Sequence, residues 1–342
     1  MSKLLSDTID MYLRYRKTAY TVSTARSSEQ TLRQFLSVVG NVQSKGLSPR
    51  HAERFQSRLL QEGKKPNTVN QRMSQLAAFS KWAVANRYAP AHFVATVRTI
   101  PVPRASRLRI PATDFARVLD CADRPDQRAT VALGLFMFLR SGEIRSLKVG
   151  DVDLEQGLIS VTIHKTNDWD EMPIFHELDQ ELRRWFIAYQ QDIGRPLRSG
   201  DYLIPAHKQY STWRGRPASG NFRPEKWTFR PFEHVQAVLD KAGYAVRTDD
   251  GHKNGEGVHT LRRSGARALY DALVDGRLGG SLARDDALRQ VMTALHHKSI
   301  ATTQLYIGIE ADRVKRDRTM KGMRFLPEVA SNVTELRKVE NE

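Results

Sequence analysis

The sequence predicts a mainly α protein in two parts: a helical amino-terminal domain, then a mostly helical α/β domain with a small antiparallel sheet. Three features lead there. Apolar residues recur at helical spacing in four stretches before residue 84, and Pro101, Pro103 and four arginines break that pattern between Arg98 and Arg109. Leu158 to Ile163 then alternates as a strand does. With 342 residues, each part is long enough to bury a core.

Taken in order, Leu5, Ile9, Tyr12 and Leu13 share one helical face, and Leu32, Phe35, Leu36 and Val39 a second. Phe55, Leu59 and Leu60 form a third; Val69, Met73, Leu76, Phe79 and Ala83 form a fourth. Ser48-Pro49 marks a helix start, a capping hydroxyl followed by proline at the first helical position, while Gly40 and Gly63 mark ends. Residues 1–97 are therefore expected to form the helical domain and 98–109 a stiff basic linker. A further helix is expected from about Thr113 with Cys121 inside it as a small apolar residue, and a lone cysteine excludes a disulfide framework. Leu133 to Leu139 is too short to span a bilayer and reads as part of a buried helix. Leu158–Ile163 and Met172-Pro173-Ile174 read as a hairpin with Lys165-Thr166-Asn167 at its turn. Gly194 to Arg223 reads as a surface excursion, Thr248 to Gly257 as a polar loop and Asp275 to Asp286 as a second irregular stretch. Phe325, Val329, Val333 and Leu336 lie close to helical spacing and suit a groove.

Charge is unevenly spread. Residues 1–109 hold 19 Lys and Arg against 5 Asp and Glu, a net +14 of the whole chain's +16. Such a concentration fits sequence-independent contacts to a phosphate backbone, although a well-solvated helical surface would also carry it. With no secretory start and no long apolar run, the chain is expected to be soluble and cytoplasmic, with no membrane partner.

The chemistry concentrates near the carboxyl end. Tyr306 lies nine residues past His297, and His259-Thr260-Leu261-Arg262 lies upstream. A phenol attacks a phosphodiester only when cations hold the non-bridging oxygens and a proton donor serves the leaving alkoxide. These residues resemble the carboxyl-terminal boxes of the tyrosine recombinases, the integrases of phages and mobile elements and their chromosomal relatives. Leu135-Phe136-Met137-Phe138-Leu139-Arg140-Ser141-Gly142-Glu143 is similar to the family's first arginine box, an apolar helix delivering Arg140, and Lys165 to its catalytic hairpin lysine. This chain has His296 where the family usually has glycine, and Met137-Phe138 where it usually has Thr-Gly.

The resemblance implies a tyrosine-recombinase catalytic domain over 110–323 and a carboxyl-terminal tail, 324–342, that docks on a neighbouring subunit. It implies that Arg140, Arg262 and His297 hold the scissile phosphate, that His259 manages the phenol proton, and that Lys165 protonates the departing 5′ oxygen. Tyr306 would form a 3′-phosphotyrosyl link without cofactor, ATP or metal. Glu143, one turn from Arg140, is expected to orient it. Arg72, Lys81, Arg107 and Arg109 are expected to face DNA. His296 and His297 point about a hundred degrees apart on a helix and do not suit one metal. Ser264 lacks the setting of a serine nucleophile. The implied partners are double-stranded DNA with inverted core sites, further copies in a homotetramer, and a directionality or accessory factor. With an apolar helix beginning within five residues of Met1, no separate arm-binding domain is expected. A phage or mobile-element integrase is the favoured role. Chromosome dimer resolution, a type IB topoisomerase and a non-catalytic DNA-binding protein remain open.

Overall fold

The structure, a computed structural model, describes residues 3–102, 107–163, 168–207, 222–228, 231–244 and 257–309. Lys165, the polar loop at 248–256 and the segment 324–342 lie outside the described residues. The chain divides into two compact units, Met1–Ala105 and Ser106–Glu342. Both are mainly helical, and small antiparallel sheets occur in the second. No helix among the described residues is long and apolar enough to cross a membrane.

The amino-terminal unit holds α1 (Leu5–Ala19), α2 (Val22–Val39), α3 (Pro49–Gln61) and α4 (Pro66–Ala85). Its core is built from the predicted stripes: Leu5, Ile9, Leu32, Phe35, Phe55, Leu59, Val69, Leu76 and Phe79 are buried. Leu60 is the exception; it lies about a hundred degrees round the helix from Leu59 and is exposed. Gly40 ends α2 with φ +84°, and Ser48 caps α3 by sharing its backbone N–H and hydroxyl with the His51 ring. The segment read as a linker begins as part of this unit. The Asn70 amide grips both backbone groups of Ile100, and Gln56 donates to the Arg98 carbonyl.

In the second unit α5 (Phe115–Asp120) precedes α6 (Pro125–Phe136) and α7 (Ser141–Ser146). Cys121 falls just past the end of α5 rather than inside a helix, because the chain turns there toward Pro125. β1 (Val152–Asp153), β2 (Leu158–Ile163) and β3 (Asp168–Pro173) form an antiparallel sheet in that order, with Leu158 opposite Pro173 and Ile163 opposite Asp168. Burial of Ile159, Val161 and Ile163 follows the alternation. After α8 (His176–Ile193), β4 (Pro205–His207) pairs with β5 (Phe222–Trp227), so the stretch read as a surface excursion supplies core: Leu203, Ile204 and Phe222 are buried. Then come α9 (Pro231–Lys241), α10 (Val258–Val274), α11 (Arg284–Ala294), which starts inside the stretch read as irregular, and α12 (Ile300–Ile307).

α6 and α10 cross at contact distance. A Cβ on Gly265 would fall 1.7 Å from the Leu135 carbonyl oxygen, and one on Gly134 would press on Leu261. Glycine is needed at this crossing for closeness. It sets the separation between the end of α6 and the start of α10, where the site forms.

Candidate active site

Arg140 is not delivered by the apolar helix itself. α6 stops at Phe136, Phe138 turns the chain in the left-handed region at φ +54°, and Arg140 caps α7. The resemblance marked Phe138 as standing at a usual glycine, and the backbone keeps the glycine-like conformation there although a side chain occupies it. The Phe138 ring is buried in a cluster with Ala266 and Leu288, burial that offsets a left-handed cost of about 1–2 kcal/mol. Glu143 accepts from the Arg140 backbone N–H and from its Nη1, both at 2.6 Å, so the guanidinium is held by its own helix turn.

Arg262, at the start of the second turn of α10, is 2% exposed. Its Nη1 donates to the Phe138 carbonyl and lies 3.7 Å from Glu143, and its Nη2 donates to the Leu295 carbonyl at 2.5 Å. Arg140 Nη2 reaches the same Leu295 oxygen at 3.3 Å. One carbonyl thus draws the two guanidiniums together, and the residue after it, His296, is again left-handed, at φ +49°. Both positions where this chain departs from a family glycine therefore shape carbonyls that hold Arg262.

On the other side, Thr303 fixes His297 through a 3.0 Å contact between its hydroxyl and Nδ1. The His297 ring stands 5.2 Å from the Tyr306 ring and perpendicular to it. The Tyr306 hydroxyl donates to the His259 main-chain carbonyl at 3.4 Å, a long bond made to the backbone and not to the imidazole. Below Tyr306, α12 ends at Gly308 with φ +78°, and a Cβ there would collide with the Arg109 guanidinium. Arg109 thus packs against the end of the helix that carries Tyr306. Ser264 is buried in α10, donating to the Thr260 carbonyl and accepting from the Ile110 N–H, a structural role.

Crowded cations set the electrostatics. Burial, and then repulsion from Arg140, lower Arg262 to about 10, still charged at neutral pH. Burial of its inner side, with Arg262, Arg263, Arg140 and Arg107 nearby, holds His259 below its ordinary value, so the ring is neutral at pH 7 even though it reaches solvent. Burial raises the Tyr306 phenol, and the same four arginines only partly oppose it. The phenol keeps its proton at neutral pH beside a concentration of positive charge. That arrangement suits an arriving anion.

Of the residues the sequence singles out, the structure brings together Arg140, Glu143, Arg262, His259, His297 and Tyr306. Arg107 is near enough to bias His259 and Tyr306. Arg72, half-buried, and Lys81, exposed, lie on α4 of the other unit. Sequence reasoning missed Arg263, which is buried and donates to the Leu108 carbonyl and Thr260, and Thr303, the partner of His297. A second arginine beside Arg262 and a threonine six residues past His297 were the available signals.

Among the described residues one cluster has the make-up of a metal site: Asp126, His207 and His234, all buried. Arg124 donates to both Asp126 oxygens at 3.0 Å, and His207 Nε2 lies 2.9 Å from Oδ2. Arg124 Nη2 also lies 3.3 Å from His234 Nε2, which assigns the imidazole proton to Nδ1, 3.6 Å from Asp126. Burial would raise Asp126, but these bonds outweigh it and hold the carboxyl far below its usual range; burial pushes His234 down to about 4. Within the cluster the Arg124 guanidinium pairs with the Asp126 carboxylate. The cluster joins the start of α6 to β4 and α9.

A converging arginine pair, one member buried, a histidine-braced phenol and a helical scaffold with a hairpin define a DNA strand transferase of the tyrosine-nucleophile class. The chain belongs to the phage integrase family, the tyrosine recombinases, whose pattern matches residues 110–313. Tyrosine recombinase XerA of Pyrococcus furiosus is 22% identical over 294 residues, 84% of this chain and 86% of the relative. Tyrosine recombinase XerC of Lactobacillus delbrueckii subsp. bulgaricus is 28% identical over 182 residues, 53% of this chain and 50% of that one. A lambda integrase dimer bound to a COC′ core site has a similar fold, with a TM-score of 0.64 at 16% identity, covering 89% of this chain and 95% of that chain. The Tn1549 transposon integrase in complex with circular-intermediate DNA gives 0.63 at 14%, covering 93% and 100%.

Proposed function

We propose that this tyrosine recombinase is a site-specific integrase that inserts or excises a phage or mobile element, cutting DNA through a 3′-phosphotyrosyl link at Tyr306. The observation that carries the reading is the shared Leu295 carbonyl, which aims Arg140 and Arg262 at one point beside the Tyr306 phenol. A phosphodiester entering there would receive charge-assisted bonds from both guanidiniums and from His297. Its negative charge would be matched where water is excluded, and the pentacovalent oxygens most of all. The phenol would pass its proton toward His259, whose neutral ring can accept it. Lys165 would protonate the departing 5′ oxygen. Bond energy would stay in the phosphotyrosine until a second 5′ hydroxyl attacks, so no ATP or metal is consumed.

The partners in this reading are duplex DNA with inverted core sites and further copies of the chain in a tetramer, with an accessory factor setting direction. Arg72, Lys81 and Arg107 would contact the phosphate backbone, the catalytic domain would span 110–323, and the protein would work in the cytoplasm. A second reading, chromosome dimer resolution, is favoured by the names of the XerA and XerC relatives. Incubation with nicked duplexes carrying candidate attachment sequences tests the chemistry. A covalent protein–DNA adduct is expected from the native chain and none from Tyr306→Phe, which should still bind DNA; an adduct surviving in the variant removes Tyr306 from the role. Recombination of element-end sequences but not of chromosomal dimer sites would separate the two readings.

A further inference from the structure

His296 replaces a usual glycine yet is held at φ +49° with its ring half-buried among charges from four directions. Asp170 faces it from β3, its Oδ2 3.7 Å from His296 Nδ1; Glu143 faces it from α7, and Arg140 and Arg262 stand beside the peptide that precedes it. At 3.7 Å the contact to Asp170 is longer than a hydrogen bond. Asp170 pairs with Val161 across the hairpin, so whatever moves Asp170 moves β3.

We propose that His296 is a positioning residue: an anion held by Arg140 and Arg262 makes it take up a proton, and the resulting ion pair with Asp170 draws β3 toward the clamp. The inference rests on the reading of those arginines as the phosphate-binding pair. With no anion present, burial and the two guanidiniums keep His296 below its ordinary value, against the opposite pull of Asp170 and Glu143. A bound phosphodiester cancels much of the guanidinium field, so the imidazolium becomes favourable and one proton enters from solvent. Nδ1–H then donates to a carboxylate, a bond that shortens to about 2.8 Å when charge-assisted. β3 is paired along its length with β2, so the same proton would shift that strand pair toward the phosphate. A glycine at this position would ease the backbone and give up the coupling.

Sulfate, a dianion at every working pH, serves as the probe. Protein with ¹⁵N-labelled histidine is titrated by NMR in potassium sulfate and in potassium chloride at matched ionic strength, with His296→Gln identifying the signal. The His296 midpoint is expected to rise by about one pH unit in sulfate. Asp170→Asn, a substitution at a partly exposed residue, should remove more than half of that rise. His259 reports anion binding independently, because Arg262 and Arg140 also depress it. If the His259 midpoint rises while that of His296 stays, or if Asp170→Asn leaves the His296 rise intact, the coupling is overturned and the arginine pair stands. If neither histidine responds, the phosphate-binding reading fails and the coupling fails with it.

Discussion

The two units weight their cationic side chains differently: among the described residues of the amino-terminal unit Arg16 alone is a buried cation, donating to Ser28. In the amino-terminal unit Arg14, Lys17, Arg26, Arg50, Arg54, Lys65 and Lys81 all lie on solvent-facing helix surfaces. In the second unit Arg262 and Arg263 are buried, and Arg124 and Arg128 are tied to the buried carboxylates of Asp126 and Glu181. Exposed cations attract DNA from any direction, and salt screens them. Buried ones are costly to desolvate and tolerable only in fixed bonds, so they point one way. The difference teaches that a net charge locates where a polyanion is held, while direction of charge locates where one of its phosphates is worked on.

The largest effect should come from Arg262→Ala. It removes two carbonyl contacts and leaves buried Glu143 with less compensation, so adduct formation should fall by about 10²–10³-fold, with a stability loss of about 3 kcal/mol. Covalent-adduct kinetics and urea unfolding measure the two; equal losses from Arg54→Ala would erase the contrast between the units. Gly265→Ala should cost about 3 kcal/mol by urea unfolding, since its Cβ must displace the Leu135 carbonyl. Acid provides a gentler test of the buried network. His234 is depressed to about 4, so the unfolded chain binds its proton first, and stability present above pH 6.5 is lost as pH falls toward 4. Thermal melts should show that decline, and His234→Gln should flatten it. Smallest of all, Arg72→Ala with Lys81→Ala should leave stability within about 0.5 kcal/mol and reduce the salt slope of DNA binding by about 2. A changed cleavage rate for the bound complex would show that the units do not divide their labour this way.

Much of this was legible from residue order. Four amphipathic stripes gave the amino-terminal core because a helix core repeats locally, every three or four residues, and β2 showed itself by alternation. Arg140, His259, Arg262, His297 and Tyr306 could be picked out because their types and order are distinctive. Leu60 was misjudged since a stripe's edge is one residue wide. The β4–β5 pair was hidden because Leu203-Ile204-Pro205 is too short to show a period. The Asp126–His207–His234 network joins residues 81 and 108 positions apart, and no local pattern announces such a meeting. Nor does sequence reveal that a phenylalanine and a histidine carry a glycine's backbone angle, since tertiary packing around Phe138 and His296 decides it.

The acceptors that fix Arg262 are the main-chain oxygens of Phe138 and Leu295. Every residue type carries such an oxygen. Side chains at those two positions can therefore drift over long divergence without removing the anchor, provided the two turns survive. Tolerance to mutation is thereby built into the placement of a buried cation: inheritance of the turns, rather than of any particular neighbour, preserves its aim.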